Sequence, residues 1–189
     1  MKKQFRAIIL HGAFGTPEEN WFPWLAKELE SRGIPSVRPK MPTPQGQSLK
    51  NWKSEFKKQV GNISNDTILV GHSASPVFLF HILQESPLPV HATFLVSPFI
   101  HELGLPDFDR VNATFFKGPF LWDKIKHNAG TILIYGGDND PYVPLDAMKE
   151  VATNLSTDLH ILRGAGHINS AAGFNKFPQL LEEIIKVTS

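Results

Sequence analysis

Residues 67–83 read TILVGHSASPVFLFHIL: an apolar run, a turn holding Gly71, His72, Ser73, Ala74 and Ser75, then a second apolar run opened by Pro76. Aliphatic residues without polar alternation suit a strand covered on both faces. Proline is tolerated at the start of a helix, because the first-turn N–H groups have no intrahelical partner. A strand, a tight turn and a helix are therefore predicted. The VFLF and HIL that follow are apolar on nearly every face, as in a helix packed centrally against a sheet.

Outward from this unit the same alternation repeats. Ala7 to Leu10 precedes a helical pattern at Trp21 to Glu30, and Ser36 to Arg38 precedes one at Leu49 to Val60. Ala92 to Val96, Thr131 to Tyr135 and Leu159 to Leu162 supply further strands, with helices at Leu145 to Asn154 and Pro178 to Val187. The expectation is an α/β protein: a parallel sheet of about six strands with helices on both faces. No linker or shift in composition divides residues 1–189, so a single domain is expected. Phe99 to Asn128 reads as one long irregular stretch, placed where a cap over a pocket would be inserted.

Composition excludes several functions. The formal net charge is +1 and opposite charges are interspersed, so no basic surface for nucleic acid is expected. The 189 residues include no cysteine, which removes disulfides, thiolate metal sites and a cysteine nucleophile. The amino-terminal lysines Lys2 and Lys3 precede an apolar run of only four residues, too short for export, and no stretch approaches a membrane span. A cytoplasmic protein with a small-molecule substrate, no membrane partner, no metal and no cofactor is the expectation. The four Asn-x-Ser/Thr matches at Asn62, Asn65, Asn112 and Asn154 then carry no meaning.

Ligands of such sheets bind beyond the carboxyl ends of the strands. Four Gly-containing loops fall there: HGAFG from His11, GHSAS from Gly71, GGDNDPYVP from Gly136 and GAGHIN from Gly164. The second has the context of a nucleophile elbow, with Ser73 exposed at the turn and small residues at 71 and 75, although Ser75 stands where glycine is usual. A serine hydroxyl needs an imidazole to take its proton. Of eight histidines, His167 lies in the Gly-rich loop between the last strand and the last helix. Asp138 and Asp140 both suit the orienting acid. Asp140 is preferred because Pro141 and Pro144 fix its loop, with Asp138 left to serve the turn. Backbone N–H groups of Ala13 and Ala74 are the expected oxyanion donors, with that of Phe14 in reserve. His72 is expected to pack or hydrogen-bond behind the turn.

With these residues placed, the chain resembles the small serine hydrolases related to retinoblastoma-binding protein nine and bacterial YdeN. The likeness extends to Asn20-Trp21-Phe22-Pro23-Trp24-Leu25, Met41-Pro42-Thr43-Pro44 with Trp52, Val96-Ser97 and Trp122-Asp123-Lys124-Ile125-Lys126. It implies an α/β-hydrolase fold with little or no lid, a Ser73, Asp140, His167 triad and esterase-like chemistry. It does not imply binding to the retinoblastoma protein, which in relatives is tied to a Leu-x-Cys-x-Glu sequence that a chain without cysteine cannot contain. Phe14, Phe99, Phe116, Trp122 and Tyr142 are candidate pocket residues, with Trp21, Phe115 and Phe120 also near the expected mouth. The principal competitor is a non-catalytic interaction protein that keeps the fold. A phosphate-binding loop is disfavoured because HGAFG matches neither nucleotide-binding pattern, and a dehalogenase because it would want Asp in place of Ser73.

Overall fold

The computed structural model describes residues 4–189; Lys2 and Lys3 lie outside the described residues. Strand β1 (Arg6–Leu10) shows why its apolar run is unbroken: Ala7 and Ile9 enter one buried cluster, Ile8 and Leu10 the cluster on the other face. The same division holds for β3 (Thr67–His72) and β4 (Ala92–Val96). With β2 (Ser36–Val37), β5 (Thr131–Gly137) and β6 (Leu159–Leu162) they form a six-stranded, all-parallel sheet in the order β2-β1-β3-β4-β5-β6. This is the α/β-hydrolase architecture expected from the sequence.

Helices α1 (Phe22–Glu30) and α7 (Pro178–Thr188) cover the Ala7 face. The opposite face is covered by α2 (Leu49–Val60), α3 (Ser75–Glu85), α5 (Trp122–Ala129) and α6 (Leu145–Leu155). Their stripes have helical spacing: Phe22, Leu25, Ala26 and Leu29 in α1, and Trp52, Phe56 and Val60 in α2. The Ser48 hydroxyl caps α2 by accepting from Asn51 N–H. Among the described residues no helix is long and apolar enough to cross a membrane.

The stretch Phe99 to Asn128 departs from expectation. It is not irregular: it holds α4 (Pro106–Asn112) as well as α5, the crossover between β4 and β5. Asp109 organises the entry to α4 by accepting the N–H groups of Leu103 and Leu105, both at 2.8 Å. The aromatics of this stretch largely fill core: Phe115 packs on Trp52, and Trp122 and Phe120 on Phe80. Strand order reverses direction between β1 and β3, so the loops leaving these neighbours diverge and open a crevice at their carboxyl ends.

Candidate active site

Ser73 closes β3 in a left-handed conformation (φ 63°), which a non-glycine residue adopts only where surrounding structure enforces it. Its N–H is tied to Val96 O at 2.9 Å. Packing is close on either side. A Cβ on Gly71 would stand 2.9 Å from Leu79 Cδ1, and one on Gly12 would stand 2.8 Å from Ser73 Cβ. Ser75 fits without penalty. Its buried hydroxyl accepts from His72 N–H (2.7 Å) and has Leu10 O and His72 O as acceptors, each at 2.9 Å. A serine here stitches the elbow to β1, a link that glycine could not make.

The His167 loop is held from four sides. Asp138 Oδ1 accepts from Gly164 N–H and Asn139 Oδ1 from Gly166 N–H, both at 2.7 Å. His72 Nε2–H donates to His167 O (2.9 Å), and Trp21 Nε1–H donates to Ile168 O (2.9 Å). The loops approach so closely that a Cβ on Gly137 would lie 2.1 Å from Gly166 O. Burial and, secondly, the neighbouring His167 push the His72 pKa down to about 3, so His72 is a neutral brace.

His167 Nδ1–H donates to Asp140 Oδ2 at 2.7 Å, and the two side chains are only 9% and 1% exposed. Asp140 Oδ1 accepts from Tyr142 N–H (2.9 Å) and Val143 N–H (3.0 Å). Burial alone would raise the Asp140 pKa; hydrogen bonds from His167, Val143 and Tyr142 outweigh it and hold the carboxyl below its ordinary value. In the neutral imidazole this bond places the proton on Nδ1, which makes Nε2 the acceptor. Among the described residues no hydrogen bond joins Ser73 to the His167 ring. Both line one cavity, and such contacts commonly tighten only around a substrate.

On the other side of Ser73, His11 sets the β1 loop. Met41 N–H donates to His11 Nε2 (3.0 Å), so Nδ1 carries the proton and donates to Gly12 O (2.8 Å). Among the described residues the N–H groups of Ala13 and Ala74 make no hydrogen bond, whereas that of Phe14 donates to Thr43 Oγ1 at 2.7 Å. The reserve donor is thus already engaged. Ala74 also caps α3, whose amino terminus favours negative charge.

The cavity, about 320 Å³, is lined by Phe14, Glu19, Phe22, Phe108, Tyr142 and Asn169 around Ser73 and His167, among others. Phe14 and Tyr142 stand half-exposed at its rim. Phe99, Phe116 and Trp122 do not line it: Phe99 is fully buried against Phe108 and Phe116, and Trp122 packs beneath Phe120. They belong to the core because their segment folds back on α3 and the sheet. Glu19, Asn139 and Phe108 escaped the sequence reading. Only Asn139, flanked by the two candidate acids, carried a local signal. Among the described residues no group of His, Asp and Glu could hold a metal ion.

A model of the serine hydrolase family matches residues 7–185. The rat serine hydrolase RBBP9 is 27% identical over 173 residues, covering 90% of each chain. YdeN of Bacillus subtilis is 27% identical over 180 residues, covering 94% of this chain and 92% of that protein. The crystal structure of the ydeN gene product superposes with a TM-score of 0.89 over 97% of this chain and 98% of that one, at 25% identity. Est1E of Butyrivibrio proteoclasticus, solved with ferulic acid bound, shares the fold (TM-score 0.70, 19% identity, 98% and 91% covered).

Proposed function

The chain belongs to the serine hydrolase family and is a hydrolase, and from that premise we propose that it cleaves small carboxylic esters, thioesters or activated amides through an acyl-enzyme on Ser73. His167 Nε2 takes the Ser73 proton as Oγ attacks the carbonyl carbon, and the N–H groups of Ala13 and Ala74 hold the oxyanion. His167 then protonates the leaving group. Water, activated by the same imidazole, releases the acid and restores Ser73. Asp140 fixes the tautomer and stabilises the imidazolium. Nucleophile, general base and oxyanion donors all come from the chain, so the proposed chemistry needs no cofactor. The whole of residues 1–189 acts as one domain, in the cytoplasm and without a macromolecular partner.

The observation that carries this reading is the buried His167–Asp140 hydrogen bond, which presents His167 to the same cavity that Ser73 and Ala13 line. The two backbone N–H groups that Asp140 accepts serve the loop, but its second oxygen, desolvated against one imidazole, serves no purpose in a protein kept only as a scaffold. Ser75, the feature that favoured such a scaffold, is accounted for by its hydrogen bonds. Stopped-flow hydrolysis of p-nitrophenyl acetate should give a burst of one nitrophenolate per active site, absent in Ser73→Ala. Folded wild type without burst or turnover across an ester and thioester panel would overturn the proposal.

A further inference from the structure

Glu19 is the one formally charged side chain, histidines aside, among the residues lining the cavity. Its Oε2 lies 3.5 Å from where a Cβ on Gly15 would stand, and His11 Nδ1 lies 3.6 Å from the same point. The carboxylate therefore overhangs the loop that carries Ala13. Among the described residues it takes part in no ion pair and no side-chain hydrogen bond, while its neighbour Glu18 is paired with Arg38. Burial is the largest influence on the His11 pKa, but Glu19 acts to raise it and Lys40 to lower it, so both fields reach this side of the site. Lys40 itself lines a separate depression with Met41, Pro42 and Thr43.

An unpaired carboxylate is a poor neighbour for this chemistry. It opposes the oxyanion that forms as Ser73 attacks, and repels an anionic substrate. A cation on the substrate reverses both effects. The rim offers such a cation further contact, because Phe14 and Tyr142 present half-exposed rings and Phe108 adds a third aromatic wall. Ring faces attract ammonium groups as well as apolar ones.

We propose that Glu19 selects cationic esters: an ammonium group on the substrate lies against the Glu19 carboxylate and the rim aromatics while the ester carbonyl meets Ser73. This rests on the Ser73 hydrolase reading. Glu19 acts on specificity and holds no reacting atom. Once the ester is cleaved on the acyl side, the same carboxylate repels the newly formed product carboxylate and favours its departure.

Carbon isosteres isolate the charge from the shape. On the acyl side the pair is p-nitrophenyl 4-(trimethylammonio)butanoate and p-nitrophenyl 5,5-dimethylhexanoate; on the alcohol side it is choline acetate and 3,3-dimethylbutyl acetate. The quantity read is the ratio of kcat/KM for cationic over neutral ester, in wild type, Glu19→Gln and Glu19→Lys. At low ionic strength the wild-type ratio in at least one pair should exceed that of Glu19→Gln by about threefold to fivefold, as an exposed charge pair would give. Glu19→Lys should lower it further, and added salt should shrink the wild-type excess. A ratio equal in wild type and Glu19→Gln for both pairs, in protein that hydrolyses the neutral esters, would overturn the cation proposal alone. Wild type that hydrolyses none of them and leaves Ser73 unlabelled by a neutral fluorophosphonate would overturn the hydrolase reading and this one with it.

Discussion

Replacing Asp140 by Asn changes one oxygen to an NH2 group, and the surroundings dictate which one. Asp140 Oδ1 accepts two backbone N–H groups, from Tyr142 at 2.9 Å and Val143 at 3.0 Å, while Oδ2 receives His167 Nδ1–H at 2.7 Å. Turning the new NH2 toward the backbone would set donors against two donors and forfeit both bonds. The amide oxygen therefore stays on Tyr142 and Val143, and the NH2 faces His167 Nδ1. It now needs an acceptor, so Nδ1 gives up its proton and Nε2 becomes protonated, unable to take the Ser73 proton. The compensating charge for the imidazolium is lost as well. A fall in kcat/KM of about 10⁴-fold is expected, the size known for removal of an orienting carboxylate in such triads. That corresponds to about 5.5 kcal/mol of transition-state stabilisation. Stability should fall by only about 1–3 kcal/mol, since two hydrogen bonds are kept and the third re-forms in reverse, without the carboxylate charge. Asp138→Asn is the matched control, because an amide oxygen still accepts the Gly164 N–H, and its activity should stay within about threefold of wild type. Steady-state hydrolysis of p-nitrophenyl acetate, with urea melts of each protein, reads both quantities. The reasoning is refuted if Asp140→Asn keeps activity within tenfold while Asp138→Asn loses it.

Three further outcomes follow from the same geometry. Ser75→Gly restores the residue usual in an elbow but strips His72 N–H of its acceptor and Leu10 O of a donor, so urea denaturation should show a loss of about 2 kcal/mol; an equal or higher midpoint would mean that the stitch contributes nothing. Gly12→Ala sets a methyl 2.8 Å from Ser73 Cβ, and displacement of the serine should slow Ser73 acylation by about 10²-fold or more with the far-ultraviolet circular dichroism unchanged; wild-type acylation would contradict the close approach. For pH, the folded-state pKa of His72 is depressed to about 3 from an ordinary 6.5, so the unfolded chain binds more protons between these values. The contribution is complete above about pH 6.5 and is lost as pH falls toward 3, at about 1.4 kcal/mol per unit. Melts at pH 7 and 5 should therefore differ by about 2 kcal/mol, with the slope reduced in His72→Gln; an equal slope would assign the acid sensitivity to other groups.

The parallel sheet was legible because β1, β3 and β4 are apolar on both faces, which a strand with one solvated face would not be. That Ser73, Asp140 and His167 would stand on neighbouring loops was legible because turn chemistry at the strand ends is local: a small-residue elbow, an acid before proline and a histidine after two closely spaced glycines. Helices α4 and α5 were missed because neither carries enough apolar periodicity. The seven residues of α4 are too few for a periodic signal, and α5 has only Ile125 and Ala129 as buried apolar residues. The candidate pocket aromatics Phe99, Phe116 and Trp122 illustrate a more general limit. A phenylalanine in a core and one in a pocket have the same sequence signature, and only the return of the chain onto α3 separates them. Glu19 was invisible because its place at the cavity comes from the turns that carry residues 12–21 past Ser73, not from any pattern in its neighbours.

Fluorophosphonate modification followed by peptide mapping tests the central claim most directly. The account predicts a single phosphonyl adduct on the hydroxyl of Ser73, formed in folded protein, abolished by prior unfolding in urea and strongly slowed in His167→Ala. Folded protein that stays unmodified at Ser73, or that reacts there equally fast without the His167 imidazole, would contradict it.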